Sequence, residues 1–334
     1  MIYGILFTVI ILVLWWISGS LSEKDEYMFM DRQCTDIMKG FAILCIVMCH
    51  MMGTFGGGIV YFTPLGGIGV SIFLILSAYG LNESWSRGGY SGWWRKRIIA
   101  VLIPYAMVQC VLYWPFHEFV FRDFLLDIFC IKPLYVNGWY LSYLVLWYVI
   151  FYTVKRLKFL RNWELIIFFC ISIVMFFSYT YLQNSPIRAE QSFVFMLGIF
   201  LSKMKDRKFI KKIINVKMMI FCLCTGVMAL AVKQLPIVRT APQVIYNLVE
   251  MFIKIPCGFG AMQLAWNLSK KLNMKVFGWI GTIAYELYLL HGYILSHVEV
   301  SWTGWMIFIV ASFGGAGLMY KTKKIYEPYL KKRI

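Results

Sequence analysis

Lys39 and His50 lie 11 residues apart in the stretch Asp36-Ile-Met-Lys39-Gly40-Phe-Ala42-Ile-Leu-Cys-Ile-Val-Met-Cys-His50, which is otherwise almost wholly apolar. In a helix this spacing returns both side chains to one face, about 16 Å apart along the axis. Asp36, three residues before Lys39, shares that face. A lysine can hold an anionic group. An imidazole, which changes charge near neutral pH, can take a proton from a hydroxyl or itself accept a transferred group. Polar side chains inside an apolar helix are costly and mark functional sites. The competing reading is structural: Lys39 snorkels to an interface and His50 bonds a neighbouring helix.

The elements that must carry these residues follow from composition. Of 334 residues, 60% are hydrophobic, 18% aromatic and only 15% charged, against ~25% charged in a soluble domain. The chain therefore reads as a polytopic membrane protein whose apolar segments are helices that satisfy their own backbone. A net charge of +17 in a soluble protein points to nucleic acid. Here the lysines and arginines sit between apolar runs, as in membrane proteins whose loop charges fix orientation, and no nucleic-acid partner is expected. The nine cysteines include no CxxC and read as small buried hydrophobes. His50, His117, His291 and His297 have no ligand spacing, so no metal site is expected.

Apolar runs occur at roughly 2–18, 37–53, 66–82, 98–115, 138–154, 164–182, 191–203, 217–233, 243–266, 276–298 and 302–320, which gives about eleven candidate spans of ~20 residues. The first lacks a basic leader and a small-residue cleavage site, and reads as a retained helix. Basic clusters fall at Arg87/Arg95/Lys96/Arg97, Lys155/Arg156/Lys158/Arg161, Lys203 to Lys217, Lys270/Lys271/Lys275 and Lys321 to Arg333. The alternate loops 54–65, 183–190 and 234–242 are nearly uncharged. Positive-inside then puts the N-terminus outside and the C-terminus in the cytoplasm of a cell-membrane protein, with Lys39 and Arg95–Arg97 on the cytoplasmic side and His50 toward the outer half. The loop 116–137 reads as a short amphipathic helix lying on the membrane. The whole chain, 1–334, reads as one integral membrane domain with a basic tail at 321–334.

Five motifs resemble the acyltransferase-3 family of integral membrane acyltransferases. The stretch from Asp36 to His50 is similar to its D-x-x-R-G-x-A-x-x-x-V-x-x-H, with Lys39 for the usual arginine. Gly69-Val-Ser-Ile-Phe73-Leu-Ile-Leu76-Ser77-Ala78-Tyr79 is similar to G-V-x-x-F-F-x-L-S-G-F, with Ala78 for glycine. Arg95-Lys96-Arg97 through Pro104-Tyr105 is similar to K-R-x-x-R-x-x-x-P-Y, with Ala100 for the second arginine. Gly138-Trp139-Tyr140-Leu141 resembles its W-F-L signature, but Leu144 and Val145 stand where one branch has paired glutamates. Ile283-Ala-Tyr285-Glu286-Leu-Tyr288-Leu-Leu-His291 resembles I-S-Y-x-x-Y-L-x-H. The matches cover 31–145 and 276–292, while 155–275 is similar in hydropathy alone.

The resemblance implies an all-α bundle of ten family helices plus one extra N-terminal helix. It also implies transfer of an acyl group, usually acetyl and sometimes succinyl, from cytoplasmic acyl-CoA to a hydroxyl of a cell-surface or lipid-linked glycan. Acyl-CoA enters as a substrate, with no permanently bound cofactor. In that setting His50 is the candidate base or acylated nucleophile. Lys39, Arg95, Lys96 and Arg97 are candidates for the CoA phosphates, since arginine forms forked phosphate contacts, although positive-inside accounts equally for a basic loop. Asp36 would orient or neutralise Lys39. Glu286 is expected to be buried against a cation from another helix, Lys39 being the candidate. His291 is a candidate to touch the glycan. Trp139 and Tyr140 read as an interface belt that can also stack on sugars. Two other classes stay open. One is a small-solute transporter with an intramembrane proton relay, which inverted repeats would mark and none is evident. The other is a non-catalytic scaffold of glycan synthesis, in which these polar residues would be replaceable.

Overall fold

The computed structural model describes residues 2–19, 28–56, 62–135, 137–206 and 208–331. Regular structure among them is helical throughout, as apolar segments with no water to bond to require. In chain order the principal helices are α1 (Ile2–Gly19), α2 (Arg32–Phe55), α3 (Thr63–Gly88), α4 (Trp93–Phe116), α5 (Phe121–Ile128), α6 (Trp139–Arg156), α7 (Arg161–Leu182), α8 (Val194–Met204), α9 (Val216–Lys233), α10 (Gln243–Ser269), α11 (Lys275–Thr282), α12 (Ala284–His297) and α13 (Trp302–Lys331).

Seven of these, α2, α3, α4, α7, α9, α10 and α13, are long and apolar enough to cross a membrane. The remaining expected runs take other forms. Those at 2–18 and 138–154 are the 18-residue helices α1 and α6. The run 191–203 is the 11-residue α8. The run expected as one span over 276–298 is two helices, broken between Thr282 and Ala284. The amphipathic segment within 116–137 is α5. Residues 57–61 of the loop 54–65, Arg207 of the Lys203–Lys217 cluster and residues 332–334 of the basic tail, Arg333 among them, lie outside the described residues.

The helices fall into two compact units, one of residues 1–83 and 157–282, the other of 84–156 and 283–334. In the first, α2 packs against α1, α10 and α11, and α9 pairs along α10. In the second, α12 packs against α13 and α4. Helix α4 widens into π turns at Ile98–Leu102 and Gln109–Tyr113. The first π turn ends two residues before Pro104, which has no N–H to continue the α ladder.

Candidate functional site

In the first unit the site is built on α2. Asp31 caps its start, its carboxylate accepting from the Cys34 N–H at 2.6 Å. Two turns into the helix Lys39 Nζ lies 2.8 Å from Asp36 Oδ1. This turn is held by close backbone packing. A Cβ on Gly40 would collide with the Phe277 carbonyl, and one on Gly281 with the Asp36 carbonyl. The rings of Phe41 and Phe277 stack at 4.5 Å beside that crossing. Small residues at a helix crossing in lipid let two backbones approach this closely. The Lys39 side chain is 38% exposed, so its ammonium has donors to offer beyond Asp36. Eleven residues on, His50 is half-buried in α2. The turn that carries it meets the start of α3, where Cys49 Sγ lies 3.8 Å from the Thr63 carbonyl.

The second unit holds the other expected residues. Arg95 and Arg97 are half-buried and Lys96 is exposed. Arg95 donates to the Leu330 carbonyl, and the Arg97 guanidinium lies 5.7 Å from the Trp93 ring. Glu286 is 1% exposed, and its cation corrects the expectation drawn from sequence. Oε1 accepts from Lys323 Nζ at 2.8 Å, whereas Lys39 pairs with Asp36. Lys323 lies about 37 residues further along the chain on the packed neighbour α13, a partner that no local spacing announces. Glu286 Oε2 has no hydrogen-bond partner among the described residues. Five residues on, His291 is fully buried with Nδ1 2.9 Å from its own Leu287 carbonyl, so that ring nitrogen is the protonated one. Trp139 and Tyr140 open α6, and the Tyr140 ring lies 5.3 Å from that of Tyr288, three residues before His291.

The acyltransferase-3 family model, an acyltransferase domain, matches residues 32–321. The chain belongs to the acyltransferase-3 family. It is a membrane acyltransferase. No curated protein and no solved structure matches it. The family match begins at the first residue of α2 and ends within α13, so it spans the helices that carry His50, Arg95, Glu286 and Lys323 and leaves α1 outside.

Sequence reasoning missed two polar centres of this acyltransferase. The first is Asp127, read only as one charge of an amphipathic loop. It is fully buried and accepts from Tyr105, from Gln109 Nε2 at 2.6 Å, from Trp114 Nε1 at 3.1 Å and from the Leu134 N–H at 2.9 Å. Tyr293 of α12 donates to Gln109. The same collar continues through Tyr135, whose hydroxyl donates to the Tyr288 carbonyl at 2.7 Å, and Tyr288, whose hydroxyl donates to the Asn137 carbonyl at 2.5 Å. Burial raises the Tyr135 hydroxyl pKa, which keeps the phenol protonated and able to donate. Burial also pushes the Cys130 thiol up to about 12, with the Asp127 carboxylate adding to it, so this cysteine is a neutral packed side chain. The second missed centre joins Lys233, Glu250, Lys254 and Glu190 in the first unit. A signal for it was present: Glu250 and Lys254 stand four residues apart inside an apolar run, on one helical face.

Proposed function

We propose that this acyltransferase moves an acyl group, acetyl in the first instance, from acyl-CoA at the cytoplasmic face to a hydroxyl of a cell-surface or exopolysaccharide glycan. The observation that carries this reading is the placement of His50 on α2. It lies about 16 Å along the axis from Lys39 and on the face that Lys39 shares with Asp36. With the basic loops inside, Lys39 meets the cytoplasm and His50 lies toward the outer leaflet. Lys39 of the first unit is the candidate point charge for a donor phosphate; in the second unit the Arg95–Arg97 cluster is taken by itself as a candidate fork for the same chemistry. Asp36 holds Lys39 on its face of the helix.

In the transfer the acceptor oxygen attacks the thioester carbonyl. A carbon–oxygen bond forms, the carbon–sulfur bond breaks, and the hydroxyl proton passes to His50 while CoA leaves as a thiolate that is then protonated. If His50 is instead the nucleophile, the acyl group rests on the imidazole between two such exchanges. Glu286, buried with Lys323 on one oxygen, is the candidate catalytic acid of the second unit. His291, Trp139 and Tyr140 lie on the acceptor side in this reading, where aromatic faces suit sugar rings.

The test is transfer of label from radiolabelled acetyl-CoA into the glycan or lipid-linked fraction of membranes carrying wild-type protein or His50→Ala. Label in the glycan fraction that falls by about 100-fold or more in the variant is the expected result. A folded His50→Ala protein that transfers at the wild-type rate overturns it, and no label from either acetyl- or succinyl-CoA overturns the donor assignment. Label recovered on the protein itself, absent in His50→Ala, selects the nucleophilic route over the general-base one.

A further inference from the structure

Four ionisable side chains of the first unit form a continuous run of ion pairs that none of the roles above uses. Lys233 of α9 pairs with Glu250 of α10, Lys254 Nζ lies 3.2 Å from Glu250 Oε2, and Lys254 also pairs with Glu190, in the turn before α8. No side chain of the four is more than 18% exposed. The set is neutral, two cations alternating with two anions. Such a network is a poor way to gain stability, because apolar residues of similar volume usually do as well or better. Ionisable groups inside a membrane bundle mark function instead.

Within the run, Lys254 packs on the start of α3, which in turn meets the His50 turn of α2. The aliphatic stem of Lys254 crosses Gly67 of α3 so closely that a Cβ there would strike its Cδ at 2.7 Å. The Gly67 carbonyl is held by Gln191 Nε2 at 3.0 Å and Ser71 Oγ at 3.0 Å, and Gln191 follows Glu190 directly. One residue back along α3, a Cβ on Gly66 would meet Cys49 Sγ at 2.9 Å. Cys49 immediately precedes His50 and stands about 15 Å from Lys39 along α2. Every charge in the run is matched by its neighbours, so the run is suited to holding other groups rather than to binding a substrate.

We infer that Lys254, clamped by Glu190 and Glu250, is a positioning residue for the acceptor half of the transfer: it fixes the Cys49–His50 turn of α2 against the start of α3, where the attacking hydroxyl must line up with the imidazole. This rests on the reading of His50 given above. It predicts that loss of the clamp leaves donor binding intact and damages acceptor use.

The informative variant is Lys254→Met combined with Glu190→Gln. It removes one ion pair whole and leaves Glu250 on Lys233, so no buried charge is stranded. In purified full-length protein, acetyl-CoA affinity measured by calorimetry should match wild type. The kcat/KM for a native membrane glycan extract, titrated by hexose content, should fall by about 100-fold, the size of effect a small misplacement of a reacting group produces. If the double variant is not monodisperse, Lys254→Arg decides. It keeps every charge and changes only the head-group shape, so it should fold and lose acceptor kcat/KM by about 5-fold with donor affinity unchanged. Wild-type acceptor kinetics in the folded variant overturns the inference, and so does an equal loss of acetyl-CoA affinity, the mark of a general structural role. His50→Ala is assayed alongside. If it is inactive while the clamp variant is wild-type, the positioning role alone fails. If it is fully active, the assignment of the site itself fails.

Discussion

Asp36 in the first unit and Asp127 in the second carry the same carboxylate into opposite situations. Asp36 is partly exposed, with a side-chain accessibility of 21%, and meets one exposed ammonium. Asp127 is sealed from solvent and surrounded by a phenol, an amide, an indole and a backbone N–H. An ionised carboxylate offers about four acceptor positions. Asp127 has committed all of them to tying α4 to the segment 127–134, whereas among the described residues Asp36 is seen to pair with Lys39 on one oxygen. Spare capacity separates a charge that can answer a substrate from one that can only hold a fold. Glu286 stands between the two, with one oxygen on Lys323 and the other unengaged among the described residues although the side chain is buried.

The largest effect should follow from Asp127→Ala. It strands four donors in a dry collar, each costing about 1–3 kcal/mol. A loss of about 5 kcal/mol or more is expected, comparable to the whole stability of many domains. Thermal unfolding of the detergent-solubilised protein should show the transition shifted far down or lost, with Asp127→Asn intermediate because one acceptor oxygen survives. A near-wild-type Tm for Asp127→Ala would erase the distinction between the two aspartates. Next in size is Lys323→Met, which leaves Glu286 buried without its cation at a cost of about 3–5 kcal/mol. Adding Glu286→Gln to Lys323→Met should recover most of that stability but not acyl transfer. Recovery of transfer as well would place Glu286 with Asp127 among the purely structural acids.

The sequence made the helical class and the Asp36–Lys39 pair legible for a simple reason: both are local. Hydrophobic runs of span length require helices whatever their neighbours do, and the Asp36–Lys39 pair and the His50 face follow from helical periodicity within one segment. What stayed hidden depends on packing. The sequence points to Lys39 as the partner of Glu286, and the actual one, Lys323, reads from sequence only as part of a basic tail. Asp127 looked like a surface charge, because nothing in 116–137 shows that Tyr105, Gln109 and Trp114 fold down on it. The run 276–298 was apolar enough to read as one helix. Its break after Thr282 falls beside Gly281, where the Asp36 carbonyl is pressed against α11, a constraint visible only once α2 is in place. The Glu250–Lys254 spacing could have been noticed, but its two outer partners, Glu190 and Lys233, come from separate segments.

The smallest effect on the fold, and the sharpest contrast with Asp127, belongs to the Asp36–Lys39 pair. An exposed i,i+3 ion pair contributes at most about 1 kcal/mol, so Asp36→Asn and Lys39→Ala should unfold within a few degrees of wild type. Their effect should appear in donor kinetics. On the proposed reading the Lys39 ammonium answers a donor phosphate, so Lys39→Ala should raise the KM for acetyl-CoA by about 10-fold, equivalent to about 1.4 kcal/mol, with the unfolding temperature nearly unchanged. Lys39→Arg, the residue usual in the family, offers a fork in place of a point charge and should bind the donor at least as well as lysine. Because the pair is open to solvent, the penalty in Lys39→Ala should shrink as salt rises and screening replaces the missing charge. A KM ratio between wild type and Lys39→Ala that does not change with ionic strength would mean that Lys39 acts through packing at the Gly40–Phe277 crossing. Asp36 would then belong with Asp127 after all, as an acid that holds a helix crossing rather than a ligand.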